Sequence, residues 1–166
     1  MIGAGGDLTA SGNRSLSELL AALAGEHISP GSGTAAAAAM AFAAACAAKA
    51  LAISRKHRPP DEVALAAETQ LQVLVAKSLQ RADVDSACFE AFVHHKNQQT
   101  AGALIAADQE TQALAAELDA VLDRIEAGVH PVVSGDILAA RALLDAASRI
   151  QAHICEENRR AAGALL

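Results

Sequence analysis

The sequence contains no tryptophan, no tyrosine and three phenylalanines, so aromatic residues make up 2% of a chain that is 52% apolar. The interior must therefore be filled by alanine, leucine, valine and isoleucine. A sheet draws on aromatic and β-branched side chains, whereas alanine and leucine favour helices and let helix backbones approach closely. An all-β fold is disfavoured on that ground. The same scarcity removes the platforms on which unpaired bases stack. Positive charge is in deficit too: 13 Lys and Arg stand against 19 Asp and Glu, a net charge of −6. Such a chain has no general attraction to nucleic acid or to an anionic membrane, and neither is expected as a partner.

Cysteine is sparse and unpaired. Cys46, Cys88 and Cys155 are widely spaced and form no CxxC motif, which excludes the signature of a structural zinc site or redox dithiol and leaves reduced core thiols. The N-terminus lacks a basic segment followed by a continuous apolar one, so no signal peptide is expected and the location reads as cytoplasmic. Alanine fills thirteen of the nineteen positions from Thr34 to Ala52, and Lys49 lies among them. That drive into lipid is weak, and a buried helix of a soluble protein is expected instead.

At 166 residues there is room for one domain. Residues 1–13, rich in glycine and polar side chains, read as a flexible leader, and residues 14–166 as a single helical domain. Ser15 and Glu18 have the spacing of a capping box ahead of Leu16, Leu19, Leu20 and Leu23. Pro30 to Thr34 reads as a turn of residues that tolerate unusual backbone angles, with Thr34 placed to cap an alanine-rich helix reaching about Ser54. Pro59 and Pro60 break the chain. A long helix is predicted over residues 61–93, with Leu65, Leu71, Leu74, Leu79 and Phe89 supplying its apolar face. Another is predicted over residues 100–127 on Leu114, Leu118, Val121 and Ile125, ending at Gly128. Residues 129–135 read as a loop. Ser134 or Asp136 would cap a last helix on Leu143, Ala147, Ile150 and Ile154. The expectation is an all-α, up-and-down bundle of about five helices.

Four places could carry chemistry. Gly31 and Gly33 flank Ser32 before a helix, where backbone N–H groups can meet an anionic or carbonyl-bearing ligand, although a plain connector has the same appearance. It is neither a GxxxxGK[ST] loop nor a GxGxxG fingerprint. Asp83 and Asp85 lie inside the third helix among small residues. A partly buried Asp85 would have a raised pKa suited to proton transfer near neutrality; the alternative is a solvated acidic face beside Arg81. His130 and Asp136 flank the entry to the last helix, where capping is the plain explanation. Arg55, Lys56, His57 and Arg58 complement a helix C-terminus or grip an anionic ligand. Glu90 and His94 are spaced i and i+4, but no Glu-x-x-His motif of di-iron bundles occurs, and no metal site is expected.

Three of these segments together resemble the cyclodeaminase/cyclohydrolase family of folate enzymes. Pro30-Gly31-Ser32-Gly33-Thr34 followed by alanines is similar to that family's Pro-Gly-Gly-Gly-Ser turn and alanine-rich helix. Asp83-Val84-Asp85-Ser86-Ala87-Cys88-Phe89-Glu90-Ala91 resembles its Asp-x-Asp-Ala-x-Ala-Phe-Glu-Ala pattern. His130-Pro131-Val132-Val133-Ser134-Gly135-Asp136 resembles its Asn-Pro-x-x-x-Ser-Asp entry to the last helix, and in the same register Asn158 falls on a family asparagine. The resemblance implies a helical homodimer with a tetrahydrofolate derivative bound in a groove between subunits and no cofactor beyond that substrate. The implied reaction is ring closure of formiminotetrahydrofolate with loss of ammonia, or hydrolysis of methenyltetrahydrofolate. On this reading Asp85 is the acid/base and Asp83 or Asp136 orients the pterin or the attacking group. Gly31, Ser32, Gly33 and Thr34 shape the pocket wall, Arg55, Lys56 and Arg58 hold the glutamate tail, and His130 and Asn158 contact substrate. Ser32, His130, Gly135 and Ile154 depart from the family residues, and the stretch from Glu90 to Gly128 is shorter. A helical dimer of the same family that binds a ligand or partner without turnover is the alternative.

Overall fold

The computed structural model describes residues 15–57, 59, 61–163 and 165, so the expected leader and Arg58 lie outside the described residues. Over these the chain forms five α-helices: α1 (Leu16–Leu23), α2 (Ser32–Ser54), α3 (Glu62–His94), α4 (Gln98–Glu126) and α5 (Ser134–Gly163). A 3-10 turn, Pro131–Val133, leads into α5, and no strand occurs among the described residues. The capping box of α1 is formed, with the Ser15 N–H donating to Glu18 Oε2 at 2.7 Å.

Alanine sets the architecture. Ala36, Ala37, Ala43, Ala44, Ala47 and Ala50 on α2 are at most 1% exposed, and the helix packs broadly on both α3 and α5. Methyl-sized side chains let three helix backbones crowd together, and the larger residues that fill the remaining space come from the partners. Leu71 and Leu74 of α3, Leu118, Val121 and Leu122 of α4, and Ile137 and Leu144 of α5 join the α2 alanines in one core. Each such leucine contributes roughly 1.5–3 kcal/mol by burial. α4 packs on α3 and α5 and touches α2 little, so α2 to α5 form a four-membered ring of successive antiparallel neighbours. α2 is long and apolar enough by composition to cross a membrane, yet more than half of it is buried inside this bundle. Its remaining face carries Phe42, 47% exposed, followed at helical spacing by the exposed Ala45 and Lys49.

Three expectations shift. Leu65 is exposed, because it lies six positions before Leu71 and that step turns it away from the buried line of Ala67, Leu71, Leu74, Ser78 and Ala82. On α5 the fully buried line runs through Ile137, Ala140, Leu144, Ala147, Gln151, Ile154 and Asn158, leaving Leu143 and Ile150 half-buried. That rotation brings the small residues Ala140 and Ala147 into the α2 core. Residues 131–135 are not a loop: Pro131, lacking an N–H, opens the 3-10 turn, and Gly135 and Asp136 already lie in α5. The cap of that turn is His130, whose Nδ1 accepts the Val132 N–H at 3.3 Å, and Ser134 and Asp136, expected as caps, lie within the first turn of α5.

Candidate functional site

α2 begins without a local cap. Gly31 is its N-cap residue and has no side chain to offer, so the first N–H groups of the helix need partners from elsewhere. Thr34, expected to cap, lies inside the first turn and is 0% exposed. Its hydroxyl shares a 2.9 Å hydrogen bond with Ser86 Oγ and reaches the Ala82 carbonyl of α3 at 3.4 Å. The cap comes from α3 as well: the Thr34 backbone N–H donates to the Asp85 carboxylate. None of the described glycines has a positive φ, so the turn's glycines serve space rather than backbone angle. At Gly33 that need is acute. A methyl built on its Cα would overlap Cγ and both oxygens of Asp85, so the carboxyl group rests directly on the bare backbone of α2.

This seat is largely dry. Burial, foremost, and then the charge of Asp108 push Asp85 up to about 6 from an ordinary 3.8, against the opposing pull of the Thr34 N–H. Asp108, on α4, is 4% exposed. Its Oδ1 accepts Gln151 Nε2 and its Oδ2 accepts Asn158 Nδ2, each at 3.0 Å, so α5 clamps both oxygens. Burial pushes Asp108 upward as well, while those two amides, Arg159 and Cys155 oppose it. Burial likewise raises Cys88 and Cys155, with Asp85 adding to the first and Asp108 to the second. Helix register brings these groups to one level. Asp85 stands about 15 Å before the α3–α4 turn and Asp108 about as far beyond it, at 1.5 Å rise per residue.

The predicted residues divide between the two ends of α2. Gly31, Ser32, Gly33, Thr34, Asp85 and Asn158 gather at its N-terminal end. Asp83 lies on the same helix as Asp85 but about 200° around it. Asp136 does not join them: it accepts Lys49 Nζ at 2.9 Å, and Lys49 lies roughly 24 Å along α2 from Gly33. Lys49 is held above its usual range by that partner. Arg55 is farther still and pairs with Glu68 at 2.9 Å, while Lys56 is exposed beside it. His130 donates its backbone N–H to Ser54 Oγ at 2.8 Å and stacks on His57 with ring centroids 4.0 Å apart. Asp136, Arg55, Lys56 and His130 thus belong to the opposite end within one chain, because α5 enters the bundle where α2 leaves it.

Asp108 and Gln151 were not anticipated, whereas Cys155, expected as a reduced core thiol, is free and buried beside them. The signal was there: Asp108 sits in the buried line of Leu104, Thr111 and Leu114, and Gln151 in that of Ala147 and Ile154, polar residues where an apolar stripe should continue. Among the described residues no three His, Cys, Asp or Glu side chains converge to hold a metal ion. The cluster offers one carboxyl group able to exchange a proton near neutrality, a second carboxyl group clamped by two amides, and a helix N-terminus. No protein-family model matches the chain, and no curated protein matches it.

Proposed function

We propose that the chain is a folate one-carbon enzyme of the cyclodeaminase/cyclohydrolase kind, with Asp85 as its acid/base. The observation that carries this reading is the seat of Asp85. It pairs a proton-exchanging carboxyl with the N–H groups that open α2, on a glycine that leaves room for both. Closing or hydrolysing the ring between two folate nitrogens passes through a tetrahedral carbon. One group must take a proton from the attacking nitrogen or water and return it to the departing nitrogen. With a value near 6, about a tenth of Asp85 carries the proton at pH 7, so both forms are at hand. Asn158 supports the reading by lying at the same end of the bundle.

The separation of Asp136 and Arg55 from Asp85 is accommodated by a homodimer. Phe42 lies near the middle of α2 on its open face. Two copies crossing antiparallel there would set the Lys49–Asp136 and Arg55 end of one beside the Gly33–Asp85 end of the other. An isologous contact of this kind completes two equal sites. The test is the absorbance decay of methenyltetrahydrofolate at neutral pH. The protein should accelerate it, Asp85→Asn should lose at least about 100-fold of that acceleration, and Phe42→Glu should sediment as an inactive monomer. An unchanged decay rate with the parent protein overturns the hydrolase form. Failure to release ammonia from formiminotetrahydrofolate overturns the other.

A further inference from the structure

Asp108 takes no proton in the reading above, yet it is the less exposed of the two carboxylates. It is 4% exposed, and each of its oxygens already accepts an amide N–H from α5. An amide N–H is only a donor, so both bonds favour the ionised carboxylate over the acid. The α5 backbone is itself fixed against α4 by Arg141, which donates to Asp119, Asp123 and Glu126 at 2.6–2.8 Å. Asp108 is thus a rigidly held carboxyl group at the level of Asp85, on the neighbouring helix, where two amides favour the ionised form against the burial that raises it. Asp85 holds a different kind of place: it lies on bare backbone, with one N–H from Thr34.

We propose that Asp108 is the positioning residue of this site, an amide-clamped anion that keeps the proton of the pair on the Asp85 carboxyl. The proposal rests on the reading of Asp85 as acid/base but concerns where the proton sits, which is measurable without substrate. Titratable groups stand around the pair on each element. α3 supplies Cys88, with Arg81 beside that thiol, α4 supplies Glu110, which also bears on Cys88, and α5 supplies Cys155 and Arg159 next to Asp108; burial keeps both thiols in their neutral form, and at the α2 side Asp85 meets the Gly33 backbone and the Thr34 N–H. Arg81 is already paired with Glu110, and Arg159 bears on Asp108 rather than Asp85. The charged group that bears directly on Asp85 is therefore Asp108.

The test follows carboxyl carbon shifts of both aspartates by NMR through a pH titration of the full chain. In the parent, Asp85 should carry the higher midpoint. Asp108→Asn should lower it by about half a unit or more, and the acid limb of the pH–rate profile should move with it. Repulsion between two charges is mutual, so Asp85→Asn should lower the midpoint of Asp108 too. That second variant decides the matter if Asp108→Asn does not fold. A parent in which Asp108 has the higher midpoint, or reciprocal variants that leave both midpoints in place, overturns the proposal. Absent turnover with intact reciprocal shifts would instead remove the folate reading and leave the pair standing.

Discussion

Gly33→Ala is expected to cut turnover by about 100-fold or more, while Asp85→Ala makes the same substitution harmless to folding. Two effects oppose each other at this position. Alanine inside a helix gains about 1 kcal/mol over glycine, but here its methyl group would occupy the volume of the Asp85 carboxyl. Swinging that carboxyl away breaks its bond to the Thr34 N–H and leaves the first turn of α2 without its acceptor, a cost of about 1–3 kcal/mol. The net result in the parent background should be a loss of about 1 kcal/mol and a fall in turnover of about 100-fold or more. Without the Asp85 carboxyl the clash is gone, and Gly33→Ala should be stabilising. Urea unfolding of the four proteins of this double-mutant cycle supplies the measurement. A Gly33→Ala effect of the same sign in both backgrounds would show that the two residues do not share the space described.

Asp85→Asn should make the protein more stable at pH 8 and change it little at pH 4. The folded-state value of about 6 exceeds the ordinary 3.8, so the folded chain binds this proton more tightly than the unfolded one. The contribution of Asp85 to stability is then full below about 3.8 and is lost as pH rises through about 6. A shift of that size corresponds to about 3 kcal/mol by linkage. Asparagine is uncharged throughout and still presents an oxygen to the Thr34 N–H, so it escapes the loss. The gap in unfolding free energy between variant and parent should widen from pH 4 to pH 8 by up to about 3 kcal/mol. A gap constant with pH would mean that Asp85 ionises in the folded protein as it does in water. Greater stability together with lost activity is the usual mark of a group kept for chemistry at the expense of the fold.

How far the sequence carried these conclusions depended on the distance over which each cause acts. Helices were legible because their signals are local: Ser15 with Glu18, the spacing of Leu114, Leu118, Val121 and Ile125, and the breaks at Pro59 and Gly128. The helical starts were not all legible. Thr34 has the composition of a cap but is drawn inside by Ser86, and a carboxylate from α3 takes the cap's place. Of the candidate site, the Gly31–Thr34 turn, Asp85 and Asn158 were found from their motifs and do lie at one end of the bundle. Asp136, Arg55, Lys56 and His130 were joined to them by the family resemblance and by local charge, neither of which says which end of a 23-residue helix each would face. Asp108 and Gln151 went unnoticed because a polar residue within an apolar stripe is conspicuous only once the stripe itself is known.

The cap that Asp85 gives to α2 ties the two ends of a long stretch of chain. A hydrogen bond from an ordinary N-cap closes within three residues and can form in an isolated segment. Here the acceptor lies on another helix, beyond all of α2 and most of α3. The alanine run has the composition to wind by itself, but the partner of its opening turn arrives only where α3 lies alongside it.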